Sequence, residues 1–213
     1  MTLSREVLAG PTLDVARALL GAHLVRDAPD DSPDARRVGR IVEVEAYIGE
    51  DDAASHARFG RTPRNAVMFG PPGVAYVYLV YGMYECLNVV TEPDGRPAAV
   101  LIRAVEPVAG IPAMRAARLM HALRRARSAD AQVRAAARIG ALPPVSLSAG
   151  PGLVAAAFDI TRDHTGLDLL DPRAPLRIEA GASPTDIVAT PRIGIGYAPE
   201  PWRSLPWRFV ERR

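Results

Sequence analysis

Lysine is absent from this chain: all 26 basic side chains are arginine. No side-chain amine is available to condense with a carbonyl, which excludes Schiff-base chemistry at lysine. Cysteine is nearly absent as well. Cys86 stands alone, so no intrachain disulfide can form. It alternates with apolar residues in a strand-like run and reads as a small core hydrophobe rather than a nucleophile. No apolar run nears the roughly 20 residues of a membrane span. The segment after Met1 carries Arg5 and Glu6 where a secretory signal would be apolar. The expectation is a cytoplasmic protein with no membrane partner. A strong excess of one charge is missing too: the net charge is +2 with a pI near 9.0. Recognition of a polyanion would therefore rest on where the arginines sit.

What is present suits one domain. The chain has 213 residues and is 48% hydrophobic, enough for a real core. Thr12 to Leu20 has helical spacing, with Pro11 ahead of it and Gly21 as a stop. A strand over Ala22–Arg26 follows, then an acidic, Pro-containing loop over 27–37. Strands are predicted at about Val38–Ala46, Ala75–Val80, Glu85–Val90 and Ala98–Ala104, with Pro93-Asp94-Gly95 as the turn before the last. The Ala- and Arg-rich segment 112–141 reads either as a helical hairpin or as a flexible basic insertion. Pro151 opens a helix through Phe158, and 175–180 and the tail from Val188 return to strand.

The chemistry concentrates between Glu43 and Arg103. In Arg40-Ile41-Val42-Glu43-Val44-Glu45-Ala46-Tyr47, alternation puts Ile41, Glu43, Glu45 and Tyr47 on one face and Val42, Val44 and Ala46 on the other. Carboxylates in so apolar a strand must be paired or shifted in pKa. Alone, they would read as edge-strand ion pairs. The run Ala75-Tyr76-Val77-Tyr78-Leu79-Val80 then aims Tyr76 and Tyr78 the same way, and Tyr81-Gly82 reads as a hairpin turn. A tyrosine at such a tip projects from the sheet, suited to contact with a partner. With Asn88, Arg103 and His56, these residues form a kit for handling a flat aromatic ligand with water chemistry. Arg58, Arg61 and Arg64 cluster just after His56. Asp51, Asp52, His56 and Glu45 do not complete a ligand set, and no metal site is expected.

These residues carry a resemblance. Gly39–Tyr47, Ala53-Ala54-Ser55-His56, Arg61-Thr62-Pro63-Arg64-Asn65, Ala75–Tyr84, Asn88 and Val100–Pro107 resemble the alkyladenine (3-methyladenine) DNA glycosylase family in order and spacing. The likeness continues more weakly through Gly150-Pro151-Gly152, Arg192–Gly196 and Trp207–Val210. It implies an α+β fold in a single domain: a curved, mainly antiparallel sheet surrounded by helices, with a protruding hairpin. It implies an enzyme that flips damaged purines such as 3-methyladenine, 7-methylguanine, hypoxanthine and ethenoadenine out of duplex DNA and hydrolyses the N-glycosidic bond.

By that resemblance Glu45 is the general base for water and Arg103 holds water and carboxylate. Tyr47 and Tyr78 sandwich the extruded base, with His56 at the pocket edge. Asn88 stands against the 2-amino group of normal guanine. Tyr81 fills the gap in the duplex, and Arg61, Arg64 and Met83 contact DNA. A backbone carbonyl from Ile193–Gly196 is implied at the water. No cofactor is implied, the partner is double-stranded DNA, and a monomer is the default. The missing lysine points to a monofunctional enzyme that leaves an abasic site. It also marks a departure, since Leu153 follows Gly-Pro-Gly where relatives carry lysine. Two other readings stay open: a relative that binds damage without hydrolysis, for which Glu45 would be superfluous, and an O-glycoside hydrolase using Glu43 and Glu45 as a carboxylate pair.

Overall fold

A computed structural model describes residues 3–28, 35–80 and 82–212. They form an α+β fold built on an eight-stranded antiparallel sheet. Two short helices, α1 (Arg5–Leu8) and α2 (Thr12–Leu19), precede β1 (His23–Arg26) and the long strand β2 (Arg37–Ile48). Then come β3 (Ala75–Val80), β4 (Tyr84–Val90) and β5 (Ala98–Ala109). Three helices follow, α3 (Ile111–Leu123), α4 (Ala129–Gly140) and α5 (Pro151–Phe158), before β6 (Leu176–Glu179), β7 (Ile187–Thr190) and β8 (Arg208–Glu211).

The sheet order is β3-β4-β5-β2-β1-β6, and β2 is its organising strand. One edge of β2 pairs with β5 along its length, from Val38↔Ala109 to Ile48↔Ala98. The other edge is shared. Residues 37–40 pair with β1, and Glu43–Glu45 pair with β8, which carries β7 on its far side. The C-terminal residues are thereby brought against the two glutamates.

Period-two alternation separates the two faces. Val44, Ala46, Val77, Leu87, Val89, Val100 and Ile102 point into one core with residues of α2 and α5, among them Leu19 and Phe158. The opposite face presents Tyr76, Tyr78, Cys86, Asn88, Leu101 and Arg103. Strict alternation fails beside the site, around Glu43. The β2–β5 ladder runs Ile41↔Val105, Glu43↔Ala104, Val44↔Ile102, with register shifts on either side of Glu43. A bulge of this kind re-aims side chains. It puts Ile41 in the core beside Val44 and Ala46, rather than on the glutamate face that alternation predicts.

Segment 112–141 is the helical alternative of the two, with α3 and α4 packed on each other. The guanidinium of Arg115 donates to the carbonyls of Gly140 (3.0 Å) and Leu142 (2.9 Å), satisfying groups that the end of α4 leaves unpaired. In the predicted 27–37 loop, residues 29–34 lie outside the described residues, while Asp27 is held by ion pairs to Arg36 (3.4 Å) and Arg177.

Candidate active site

A cavity of about 360 Å³ opens on the polar face of the sheet. Tyr76, Tyr78 and Val80 of β3, Cys86 and Asn88 of β4, and Leu101 and Arg103 of β5 form one wall. Tyr47 and His56 come from the end of β2 and from the 3-10 turn His56–Phe59. Ile193, Gly194, Ile195 and Tyr197 close it from the C-terminal segment.

Glu45 lies behind this lining, 0% exposed. Its carboxylate is held by three donors. The Tyr47 hydroxyl donates to Oε2 at 2.9 Å, Arg103 Nη1 to Oε2 at 3.2 Å, and the Ile193 backbone N–H to Oε1 at 2.7 Å. All three donors belong to residues that line the cavity. A carboxylate offers about four lone-pair positions, so one on Oε1 is left for a further donor such as water. Burial raises the Glu45 pKa above its ordinary value, while Arg103, the Ile193 N–H and Tyr47 oppose the rise. Burial, then the neighbouring Glu45 charge, pushes the Tyr47 hydroxyl well above 10, so it stays a donor.

Arg103 is itself braced. Its Nε donates to Glu43 Oε1 at 2.8 Å, and Arg208 Nε donates to the same oxygen at 2.6 Å. Glu43 is thus occupied by two guanidiniums, which suits a buttress and disfavours a second free carboxylate for O-glycoside chemistry.

The aromatic wall is ordered by its own contacts. The His56 ring meets Tyr78 edge-on, centroids 4.4 Å apart at 77°, and its Nδ1 lies 2.9 Å from the Tyr76 hydroxyl. Burial, helped by Arg64 and Arg58, lowers the His56 pKa to about 4, so the ring is neutral at physiological pH. Burial also raises the Tyr76 hydroxyl to about 12 and Tyr78 further. The Asn88 amide nitrogen donates to the carbonyls of Tyr76 (3.0 Å) and Cys86 (3.4 Å), which fixes the side chain at the cavity wall. Cys86 is buried but faces this cavity instead of the core, because it shares the strand face of Asn88. Burial pushes its thiol up to about 12, which leaves it unreactive.

Tyr81, the expected wedge, lies outside the described residues. The flanking turn is described: Gly82 has φ +66, and Met83 is 43% exposed with its sulfur accepting from Arg125. Arg61 and Arg64 are exposed near the cavity. The Arg61 guanidinium lies 6.0 Å from the Phe69 ring, and Arg64 lies 5.8 Å from Tyr78 while donating to the Leu79 carbonyl at 3.3 Å. Phe59, Ile193 and Tyr197 add exposed apolar surface.

Sequence reasoning missed the support behind Tyr47. Arg192 and Asp52, both fully buried, pair through contacts of 2.6 and 2.9 Å. The Arg192 guanidinium also donates to the Ala46 carbonyl at 2.9 Å and lies 4.7 Å from the Tyr47 ring and 5.0 Å from the Trp207 ring. Asp52 is therefore spent on Arg192 and cannot join the carboxylate–His grouping weighed for a metal. The Ile193–Gly196 segment also reaches Glu45 directly, through the Ile193 N–H, a contact the sequence did not suggest. The one available signal is the stretch Arg192-Ile193-Gly194-Ile195-Gly196, in which nothing local marks a partner for Arg192.

A family model described as methylpurine-DNA glycosylase matches residues 6–213. A putative 3-methyladenine DNA glycosylase of Methanocella arvoryzae is 46% identical over 211 residues, covering 99% of this chain and 92% of the relative. Proteins of the same description from Anaeromyxobacter dehalogenans and Myxococcus xanthus are each 44% identical, covering 100% and 99% of this chain and 84% and 90% of the relatives.

Proposed function

We propose, from the premise that this chain belongs to the methylpurine-DNA glycosylase family, that it is a DNA glycosylase which hydrolyses the N-glycosidic bond of damaged purines and leaves an abasic site. The observation that carries the reading is Glu45: a wholly buried carboxylate, fixed by three cavity-lining donors, with one acceptor position left on Oε1.

A flipped purine enters the cavity between Tyr47 and Tyr78, with neutral His56 beside its edge. A water at the free Oε1 position gives its proton to Glu45 as its oxygen attacks C1′ of the sugar, and the C1′–N bond breaks with the electron pair leaving on the base. Oxocarbenium character at the sugar is stabilised by the same carboxylate. Arg103 keeps Glu45 ionised and aimed. Electron-rich tyrosine faces favour alkylated, cationic purines by ~0.5–2 kcal/mol, while fixed Asn88 crowds the 2-amino group of guanine. Tyr81 is proposed to occupy the space the nucleotide vacates, with Arg61, Arg64 and Met83 on the DNA. Without lysine, the abasic product is released without strand cleavage.

The test is base release from duplexes carrying hypoxanthine or ethenoadenine, and from methylated genomic DNA, by wild type and Glu45→Gln. Wild type should produce breaks only after alkali. The isosteric variant, folded by circular dichroism, should lose on the order of 10²–10⁴-fold in rate. Breaks without alkali would refute the monofunctional assignment. A Glu45→Gln enzyme as fast as wild type would remove Glu45 from the mechanism. Binding without any base release would favour a damage-binding protein.

A further inference from the structure

Residues 111–141 hold seven arginines and a single acid, Asp130. Among the described residues the ion pairs all lie elsewhere, so this charge is not neutralised by carboxylates there. Arg115 is spent on the end of α4, and the buried Arg118 donates to the Leu147 carbonyl. Arg125, which donates to the Met83 sulfur, and Arg138 stand differently. Both are exposed, and with Arg118 they line a second cavity of about 290 Å³ whose other walls include Tyr84, His121 and Leu153.

Two features suit this cavity to an anion. The Tyr84 and His121 rings stack with centroids 5.5 Å apart at 20°, and the Arg125 guanidinium lies 4.9 Å from the Tyr84 ring. This stack presents a flat wall with cations at its rim. In addition, His121 Nε2 is buried and has no hydrogen-bond partner. Buried polar atoms are nearly always paired, and an anionic oxygen in the cavity would serve.

Its position selects the anion. Tyr84 opens β4 directly after the Gly82–Met83 turn, and the start of α5 divides the two cavities. Pro151 lines the aromatic one and Leu153 the basic one. Between them Gly152 packs so closely on Tyr84 that a Cβ there would lie 2.7 Å from the ring. A strand whose nucleotide entered the aromatic cavity would continue past this turn toward the arginines.

We propose that the Arg118–Arg125–Arg138 cavity is a phosphate subsite that grips a backbone phosphodiester of the DNA beside the flipped nucleotide. It rests on the DNA glycosylase reading above. Guanidinium forks match phosphate oxygens in geometry as well as charge, and the subsite accounts for how a chain with no lysine holds the backbone there.

The experiment is fluorescence anisotropy of a hypoxanthine-containing duplex titrated with the full chain across a salt series. Arg125→Gln/Arg138→Gln is compared with Arg127→Gln/Arg134→Gln, which removes the same charge from residues outside the cavity lining. Each phosphate contact contributes roughly 0.9 to the slope of log K against log salt. The cavity variant should flatten the slope by close to one contact's worth, and the control should leave it near wild type. Equal slopes for the two variants, or a cavity variant as steep as wild type, overturn the proposal. That includes the case in which only binding of inorganic phosphate is lost, which would make the cavity a site for the free ion. Failure of the glycosylase reading shows separately, as wild-type protein that binds the duplex but releases no base.

Discussion

Asp52→Asn puts the support behind the site under test. Asp52 and Arg192 are both fully buried and joined by contacts of 2.6 and 2.9 Å. Asparagine keeps the size and one acceptor but removes the charge, leaving a guanidinium with no counter-ion inside the protein. Removing one partner of a buried pair costs ~3–5 kcal/mol. In a chain of this length each kcal/mol moves Tm by roughly 2–4 °C, so the expected fall is roughly 6–20 °C. Urea denaturation followed by circular dichroism measures it, with the midpoint shifted and the slope unchanged. Base release by the folded fraction should fall as well, because Arg192 backs the Tyr47 ring and precedes the Ile193 N–H that holds Glu45. Asp52→Leu combined with Arg192→Met should recover only part of the stability, since apolar replacement of a buried pair is often neutral but the Ile48 and Ala54 N–H groups lose their Asp52 acceptor, and it should not recover the activity. An Asp52→Asn protein within about 1 kcal/mol of wild type would refute the reasoning, because an unpaired buried guanidinium could not cost so little.

Two predictions concern pH. Burial lifts the Glu45 pKa above 4.5, and Arg103 is the foremost influence holding it down. Glu45 acts as a base only when ionised, so base release should fall with acidity along a limb above the ordinary carboxylate value. Arg103→Gln should move that limb to higher pH in single-turnover assays; an unmoved limb would separate Arg103 from Glu45. His56 is depressed from 6.5 to about 4 by burial, then by Arg64 and Arg58. The unfolded chain takes up this proton where the folded chain does not, so stability should fall as pH drops from about 6.5 to about 4. His56→Gln should lessen the fall of the urea midpoint across that window, the remainder coming from His121 and His164, which burial also depresses, and an unchanged pH dependence would refute the assignment.

Much of the architecture was legible because each strand declares itself by local alternation. The two-tyrosine run gave β3 its bounds, and the Pro-opened apolar run gave α5 from Pro151 to Phe158. Errors fell where the deciding force was not local. Alternation put Ile41 with the glutamates, but the β5 partner imposes a bulge that sends it to the core. Strands β2 and β5 run further than predicted, because each extends the ladder of the other. The helical outcome for 112–141 was undecidable from an Ala- and Arg-rich composition. It depends on α3 packing against α5 and on Arg115 closing the end of α4.

The site shows the same division more sharply. Glu45, Tyr47, Tyr78, Asn88 and Arg103 come from strands of one continuous stretch, where alternation carries most of their placement, and His56 joins them from the 3-10 turn that follows β2. Their electrostatics come from elsewhere. Arg192, Ile193 and Arg208 lie more than a hundred residues downstream, and they reach Glu45 and its neighbours only because β8 pairs with Glu43–Glu45 along the edge of β2 that β1 leaves open. Before that pairing forms, the carboxylate lacks its Ile193 donor and Tyr47 lacks the guanidinium behind it. The residue types proposed for catalysis can therefore be read from the first half of the chain. Whether Glu45 is a poised base or merely a buried charge is decided by the last twenty-odd residues, through contacts that no local pattern encodes.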